Sequence, residues 1–358
     1  MINNPINLTR PIPLETSRVW RTYHGGQMIS RLHGEDVEDD NFPEEWLMSV
    51  VAARNAGREH IVEGMSRVTG TGLTLKELCE AAPEAMFGFA HAAKYGASPG
   101  VLVKLLDAGE RLTLQTHPTR ACAMKLFGSP FGKTECWHII ETREIGEESP
   151  CIYLGFKEGV TREYWKQCFD TQDIPAMLAC LHRIEVHPGD TYIIRGGVPH
   201  GIGAGCFLVE IQEPTDYTIR TERVTPGGLA VSDFMCHQGL GFERMFDCFE
   251  YDGADLAKTL RRYRVEPRCE AIAGGEVTHI IYSDVTDMFA LDLVTLTGEK
   301  RFAGGRFSGI YVLYGSGTLD SAPIGVGSHF VIPAACGGYT IRPDEGGITL
   351  IRCFGPEA

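Results

Sequence analysis

Along most of the chain, apolar and polar positions alternate in short runs broken by glycine or proline. LVKLLDAGERLTLQTHP, CIYLGF, LHRIEVHPGDTYIIRGG, FLVEIQ, RFSGIYVLYGSGTLDS and HFVIPA all follow this rhythm. A period of two places successive side chains on opposite faces and predicts strands, with the glycines marking turns. Two stretches break the pattern and predict helix. One covers residues 43–98, in PEEWLMSVVAA and then TLKELCEAAPEAMFGFAHAAKYG, where Thr74 followed three residues later by Glu77 makes a capping box. The other covers residues 161–181 and opens on Thr161 as a cap. Many short strands with inserted helices predict a mainly β chain built as a barrel or jelly roll.

The pattern also repeats. Gly189-Asp190-Thr191-Tyr192-Ile193-Ile194-Arg195-Gly196-Gly197 has the rhythm of Gly327-Ser328-His329-Phe330-Val331-Ile332-Pro333-Ala334-Ala335. A turn glycine, four strand residues and small or proline residues at the exit occur in both, which predicts two barrels in tandem. The division expected is a catalytic domain over residues 1–245 and a second β domain over 246–358. In the second copy His200 falls opposite Gly338, and the Glu135–Ile140 run answers to apolar Ile310–Leu313. Polar chemistry therefore belongs to the first copy.

One polar segment, GSPFGKTECWHII, ends its loop in the letters of a phosphate-binding P-loop. Only three residues separate Gly128 from Gly132, where that loop needs four, and the residues after Thr134 favour a strand over a helix. As a strand it points Lys133 and Glu135 to one side. Composition narrows the partners. With 33 basic and 47 acidic residues the formal charge is −14, and no basic run offers a surface for nucleic acid or an anionic membrane. No signal pattern or bilayer-length apolar span is present, so a soluble cytoplasmic protein is expected. The twelve cysteines, without a C-x-x-C pair, fit free thiols in a reducing compartment.

Gln115 and His117 lie two apart on one strand and share a face, Glu135 comes from a second strand, and His200 follows the turn Gly196-Gly197-Val198-Pro199. Two imidazoles, a carboxylate and an amide oxygen make a nitrogen and oxygen site suited to one divalent transition metal, with zinc favoured. His138, on the Glu135 strand, faces the other way by parity.

At these residues the sequence resembles the class I mannose-6-phosphate isomerases in their short bacterial, two-cupin form. The resemblance rests on LTLQTHP, GKTECWHII, GDTYIIRGGVPHGIGAGCFLVEIQEPTDYTIR and VTGTGLTLKEL, and runs through most of the chain. It implies two tandem cupin barrels, and one zinc ion held by Gln115, His117, Glu135 and His200. It also implies Arg220 as catalytic arginine, with Lys133 and Glu210 as further catalytic groups. Thr113, Lys133, Asp216 and Arg223 are then expected around a sugar phosphate. The reaction implied interconverts mannose 6-phosphate and fructose 6-phosphate through a cis-enediol. Which group acts as base stays open between Lys133 and Glu210. Gly227 stands where longer members carry a basic residue, so Arg223 or Arg195 is expected to replace that charge. A cupin isomerase for another sugar or sugar phosphate, and a non-catalytic metal-containing sugar-binding protein, are the alternative readings. An iron oxygenase is disfavoured because Gln115 replaces the first histidine of an H-x-H pair.

Overall fold

The computed structural model describes residues 6–58 and 60–357. Its strands begin with β1 (Ile12–Leu14), β2 (Arg18–Val19), β3 (Glu44–Leu47), β4 (Leu102–Asp107), β5 (Gln115–Thr116), β6 (Glu135–Thr142) and β7 (Cys151–Phe156). Next come β8 (Leu181–Glu185), β9 (Thr191–Ile194), β10 (His200–Ile202), β11 (Cys206–Gln212), β12 (Ile219–Arg220) and β13 (Arg264–Val265). The last are β14 (Arg268–Ile272), β15 (Gly275–Ile281), β16 (Ala290–Leu296), β17 (Lys300–Ala303), β18 (Ser308–Leu319), β19 (Ala322–Gly325), β20 (His329–Ile332) and β21 (Gly338–Phe354).

These strands build the two tandem cupin barrels. The first pairs a seven-stranded sheet, ordered β13-β9-β6-β11-β4-β3-β2, with a five-stranded sheet, ordered β12-β5-β10-β7-β8. The second is a sheet ordered β1-β20-β18-β21-β16-β15-β14, with β17 added on β21 and β19 on β18. The predicted repeat is visible in the pairing. Each turn glycine has a positive φ, 94° at Gly189 and 79° at Gly327. The strand after it, β9 or β20, pairs antiparallel with β6 or β18 respectively. Glu135 pairs with Ile194, and Ser308 pairs with the matching Ile332. The counterpart of Glu135 is thus Ser308, two residues before the expected Ile310. The N-terminal strand β1 pairs with β20, so the chain starts on the second barrel before entering the first.

Strand β11 is buried at every position, because both of its faces are covered. Leu208 joins Trp137, Ile152 and Leu154 inside the first barrel. Its neighbours Phe207, Val209 and Ile211 instead join Leu291, Tyr311, Val331 and Ile351 between the barrels. Each such aliphatic side chain contributes about 1.5–3 kcal/mol when removed from water, so this second face binds the barrels into one body.

The helix expected across PEEWL is a strand. β3 pairs with β4, with Glu44 opposite Leu106 and Trp46 opposite Lys104, and all four of its residues are buried. Consecutive glutamates favour helix locally, but here buried cationic and hydroxyl partners satisfy Glu44 and the tertiary structure overrides the propensity. Helix resumes at Leu75–Ala81, where Thr74 and Glu77 form the predicted reciprocal cap. The second helical stretch divides into Arg162–Thr171, capped by Thr161, and Ile174–Ala179.

Candidate metal centre and its pocket

Strand β5 lies between β10 and β12, with Gln115 paired to both His200 and Arg220. One register level thus carries an amide, an imidazole and a guanidinium. Glu135 enters at the start of β6, between Gln212 and Ile194. The GKT glycine serves packing: a Cβ on Gly132 would lie 2.5 Å from the Pro118 carbonyl oxygen. Without that Cβ, the Lys133 amide donates to the same carbonyl at 3.1 Å. Gly196 makes an equally close approach, its virtual Cβ 2.7 Å from the Pro118 oxygen. Both segments that deliver donors therefore lie directly on the loop after His117. The carboxylate of Glu213 fastens this junction, accepting from Arg120 at 2.6 Å and from the Thr134 amide at 3.0 Å.

His117, Glu135 and His200 converge, each fully or almost fully buried, with donor atoms within 4.8 Å of one another. His117 Nδ1 lies 2.8 Å from the Tyr217 carbonyl and His200 Nδ1 lies 2.9 Å from the Val198 carbonyl. A carbonyl only accepts, so both Nδ1 atoms donate and both Nε2 atoms turn a lone pair inward. The two Nε2 atoms are 3.2 Å apart, and Glu135 Oε2 is 3.2 Å from that of His117. Glu135 Oε1 is buried without a hydrogen-bond partner. Lone pairs facing one another need a cation between them. The Lys133 ammonium supplies one positive centre, donating to His117 Nε2 at 2.9 Å and to Glu135. Burial and the Lys133 charge push the His117 ring down to about 4, which keeps it neutral and able to ligate. Burial likewise lowers His200. Burial alone would raise the Glu135 carboxyl, but Lys133 and His117 outweigh it and hold the group well below the usual range. The Gln115 amide nitrogen completes the group, 3.4 Å from His200 Nε2.

A pocket opens from this centre, bounded in part by Thr113, Lys133, Glu210 and Arg220. Glu210 accepts from Lys104 at 2.9 Å and from the Trp137 indole at 3.2 Å, with Lys133 3.9 Å away. Arg220 is buried, and among the described residues its hydrogen bonds go to two backbone carbonyls, those of Thr218 at 3.4 Å and Met235 at 3.2 Å. Burial, then repulsion from Arg21, lowers its guanidinium to about 10. It remains a cation at neutral pH whose charge no carboxylate contact neutralises among the described residues.

The structure thus brings Gln115, His117, Glu135, His200, Lys133, Thr113, Glu210 and Arg220 together. Asp216 lies beside them but is held by Arg21 at 2.8 Å and by the Arg54 amide at 2.9 Å. Arg223 is exposed, stacked 4.4 Å above Phe242 and 3.6 Å from Asp233, and it does not line the pocket. Arg195 is also exposed, near the Val285 carbonyl. His138 faces away, as parity predicts, and contacts Thr191 at 2.8 Å. Arg21, Tyr23, Glu44 and Lys104 line the pocket without having been singled out in the sequence. Lys104 had a signal, as the one charge within the apolar run LVKLL. Glu44 had none, because its partners Arg21, Tyr23 and Trp46 reach it through the fold at 3.0, 2.7 and 2.6 Å.

The fold and the buried centre define a two-cupin protein with a candidate metal site beside a cation-lined pocket. No protein-family model matches the chain. A probable mannose-6-phosphate isomerase of Bacillus subtilis is 28% identical over 346 residues, covering 94% of this chain and 97% of its own. The mannose-6-phosphate isomerase of Streptococcus mutans is 29% identical over 213 residues, 60% of each chain. Among solved structures, the mannose 6-phosphate isomerase of Bacillus subtilis superposes with a TM-score of 0.73 at 23% identity, covering 96% of this chain and 99% of that one. A putative mannosephosphate isomerase from Archaeoglobus fulgidus gives 0.72 at 20% identity, covering 98% and 100%. The resemblance to the class I mannose-6-phosphate isomerases therefore holds along the chain, in sequence and in fold.

Proposed function

We propose that this protein is a zinc-dependent mannose-6-phosphate isomerase, an aldose–ketose isomerase working through a cis-enediol. The observation that carries the reading is adjacency: Gln115 and Lys133, which contact the His117, Glu135 and His200 group, also line the pocket that holds Arg220, a cation without a carboxylate contact among the described residues. The relatives' names supply the substrate. Zinc would be held by His117, Glu135, His200 and, after a turn of its amide, Gln115. These nitrogen and oxygen donors, with the unpartnered Glu135 oxygen, fit that ion. Bound there, it would polarise the oxygens of the open-chain sugar.

The chain's own residues then divide the remaining work. Moving a proton between C1 and C2 needs a base beside those carbons; of the two carboxylates on the pocket wall, Glu44 is taken up by Arg21, Tyr23 and Trp46, and Glu210, 3.9 Å from Lys133, is the one assigned that role. Trp137 and Lys104 hold it in one orientation. Lys133 and Arg220 stabilise negative charge on the enediol oxygens and attract the phosphate, at positions fixed before substrate arrives. Burial of these groups keeps their electrostatic interactions strong. In this reading the first barrel performs the chemistry and the second supplies the packed face behind it.

The reading is tested by coupled turnover of mannose 6-phosphate against free mannose, with Arg220→Ala alongside. The phosphate is expected to be preferred, and the variant to lose about 100-fold or more in kcat/KM. Equal turnover of both sugars, or an unaffected variant, would redirect the reading to another sugar.

A further inference from the structure

Outside the pocket, one pair of nucleophilic side chains meets with a partner open to solvent. Cys122 sits in the first turn of the helix Arg120–Phe127, its amide bonded to the Thr119 hydroxyl at 3.1 Å. Cys248 ends the 3-10 helix Arg244–Cys248. The two sulfurs are 3.6 Å apart, although 126 positions separate the residues in sequence. Cys122 is partly exposed and Cys248 is buried, so of the two residues Cys122 is the one a solute meets first.

We infer that Cys122 and Cys248 form a peroxide-reactive pair that closes to a disulfide, with Cys122 as the attacking thiol and Cys248 as the resolving one. The Cys122 thiolate attacks one oxygen of hydrogen peroxide, the O–O bond breaks, and the departing hydroxide takes a proton to leave as water. Sulfur is oxidised by two electrons to the sulfenic acid and peroxide is reduced. The Cys248 sulfur then attacks Cys122, the S–O bond breaks, and hydroxide leaves as a second water with the Cys248 proton. Contact within the pair, chiefly its hydrogen bond, holds the Cys122 thiol below its ordinary range, which favours attack there. The same contact, with burial, raises Cys248.

The pair is placed to act on the site. Cys122 follows Thr119, next to the Pro118 carbonyl that receives the Lys133 amide. Cys248 precedes Glu250, whose amide donates to the Gly197 carbonyl at 2.9 Å, while the Gly197 amide donates to His117 at 2.7 Å. A bond between the sulfurs would tie together the two supports of the His117 loop. Competing chemistry is limited by access. Cys168 and Cys180 also touch, but both are buried. Exposed Cys269 faces Thr278 at 3.6 Å.

The test is hydrogen peroxide added to the reduced full-length protein, read by intact mass and by mapping of linked peptides. The expected result is a loss of two hydrogens, a peptide joining Cys122 to Cys248, and reversal by dithiothreitol. Cys248→Ala is expected to stop at a Cys122 sulfenic acid that dimedone captures, and Cys122→Ser to abolish the linkage. Overoxidation of wild-type Cys122 with Cys248 still reduced, or selective oxidation of Cys269 with Cys122 untouched, would overturn the inference.

Discussion

The ammonium of Lys133 donates to His117 Nε2 at 2.9 Å and also contacts Glu135, so a lysine engages two of the donors assigned to the metal. A second cation entering that centre must share or displace these contacts. Lys133→Met therefore removes a competitor as well as the charge proposed to meet the substrate. The variant is expected to hold zinc at least as tightly as the wild type in a chelator competition, while turnover falls by about 100-fold or more. Loss of zinc together with turnover would instead make Lys133 a support for the donors.

Acid should weaken the pocket wall at Glu44. Burial acts to raise the Glu44 carboxyl, but Arg21 and Lys104, with bonds from Trp46 and Tyr23, bring it down to about 2. A depressed carboxylate contributes stability that is complete above its unfolded value of about 4.3 and is lost as pH falls through the folded value. Its contribution is on the order of 3 kcal/mol. Urea unfolding between pH 6 and pH 2.5 should show this loss, and Glu44→Gln should flatten the acid limb while lowering stability at pH 6.

A second titration is expected near neutrality. The His33 ring lies 2.7 Å from Glu45, and that hydrogen bond raises its pKa above the ordinary value despite partial burial. Stability from a raised histidine is present below the unfolded pKa of about 6.5 and is lost as pH rises through the folded one. The melting temperature should therefore fall on the alkaline side of pH 6.5, and His33→Gln should remove that step.

The convergence of Gln115, His117, Lys133 and Glu135 was legible because strand parity is local. Two positions separate Gln115 from His117 and two separate Lys133 from Glu135, and the fold keeps both pairs on one side. The repeated glycine rhythm likewise announced the second barrel, since a positive φ in the turn before the strand is written in one residue. What could not be read is the wall assembled across the chain. Arg21 meets Asp216 across 195 positions, and only pairing of β3 with β4 brings Glu44 toward Lys104. The same long-range bonds turned PEEWL from the expected helix into a strand. Arg223 drew attention by its charge and its place after Arg220, but its guanidinium packs on Phe242 and Phe169 outside the pocket.

The most direct test is turnover of mannose 6-phosphate by the zinc-loaded protein beside Glu135→Ala, with bound zinc measured in both. Formation of fructose 6-phosphate by the wild type, with zinc and turnover lost together in the variant, is the predicted result. A fully metallated wild type that leaves mannose 6-phosphate unchanged, or a Glu135→Ala protein that turns it over at the wild-type rate, would contradict the proposed function.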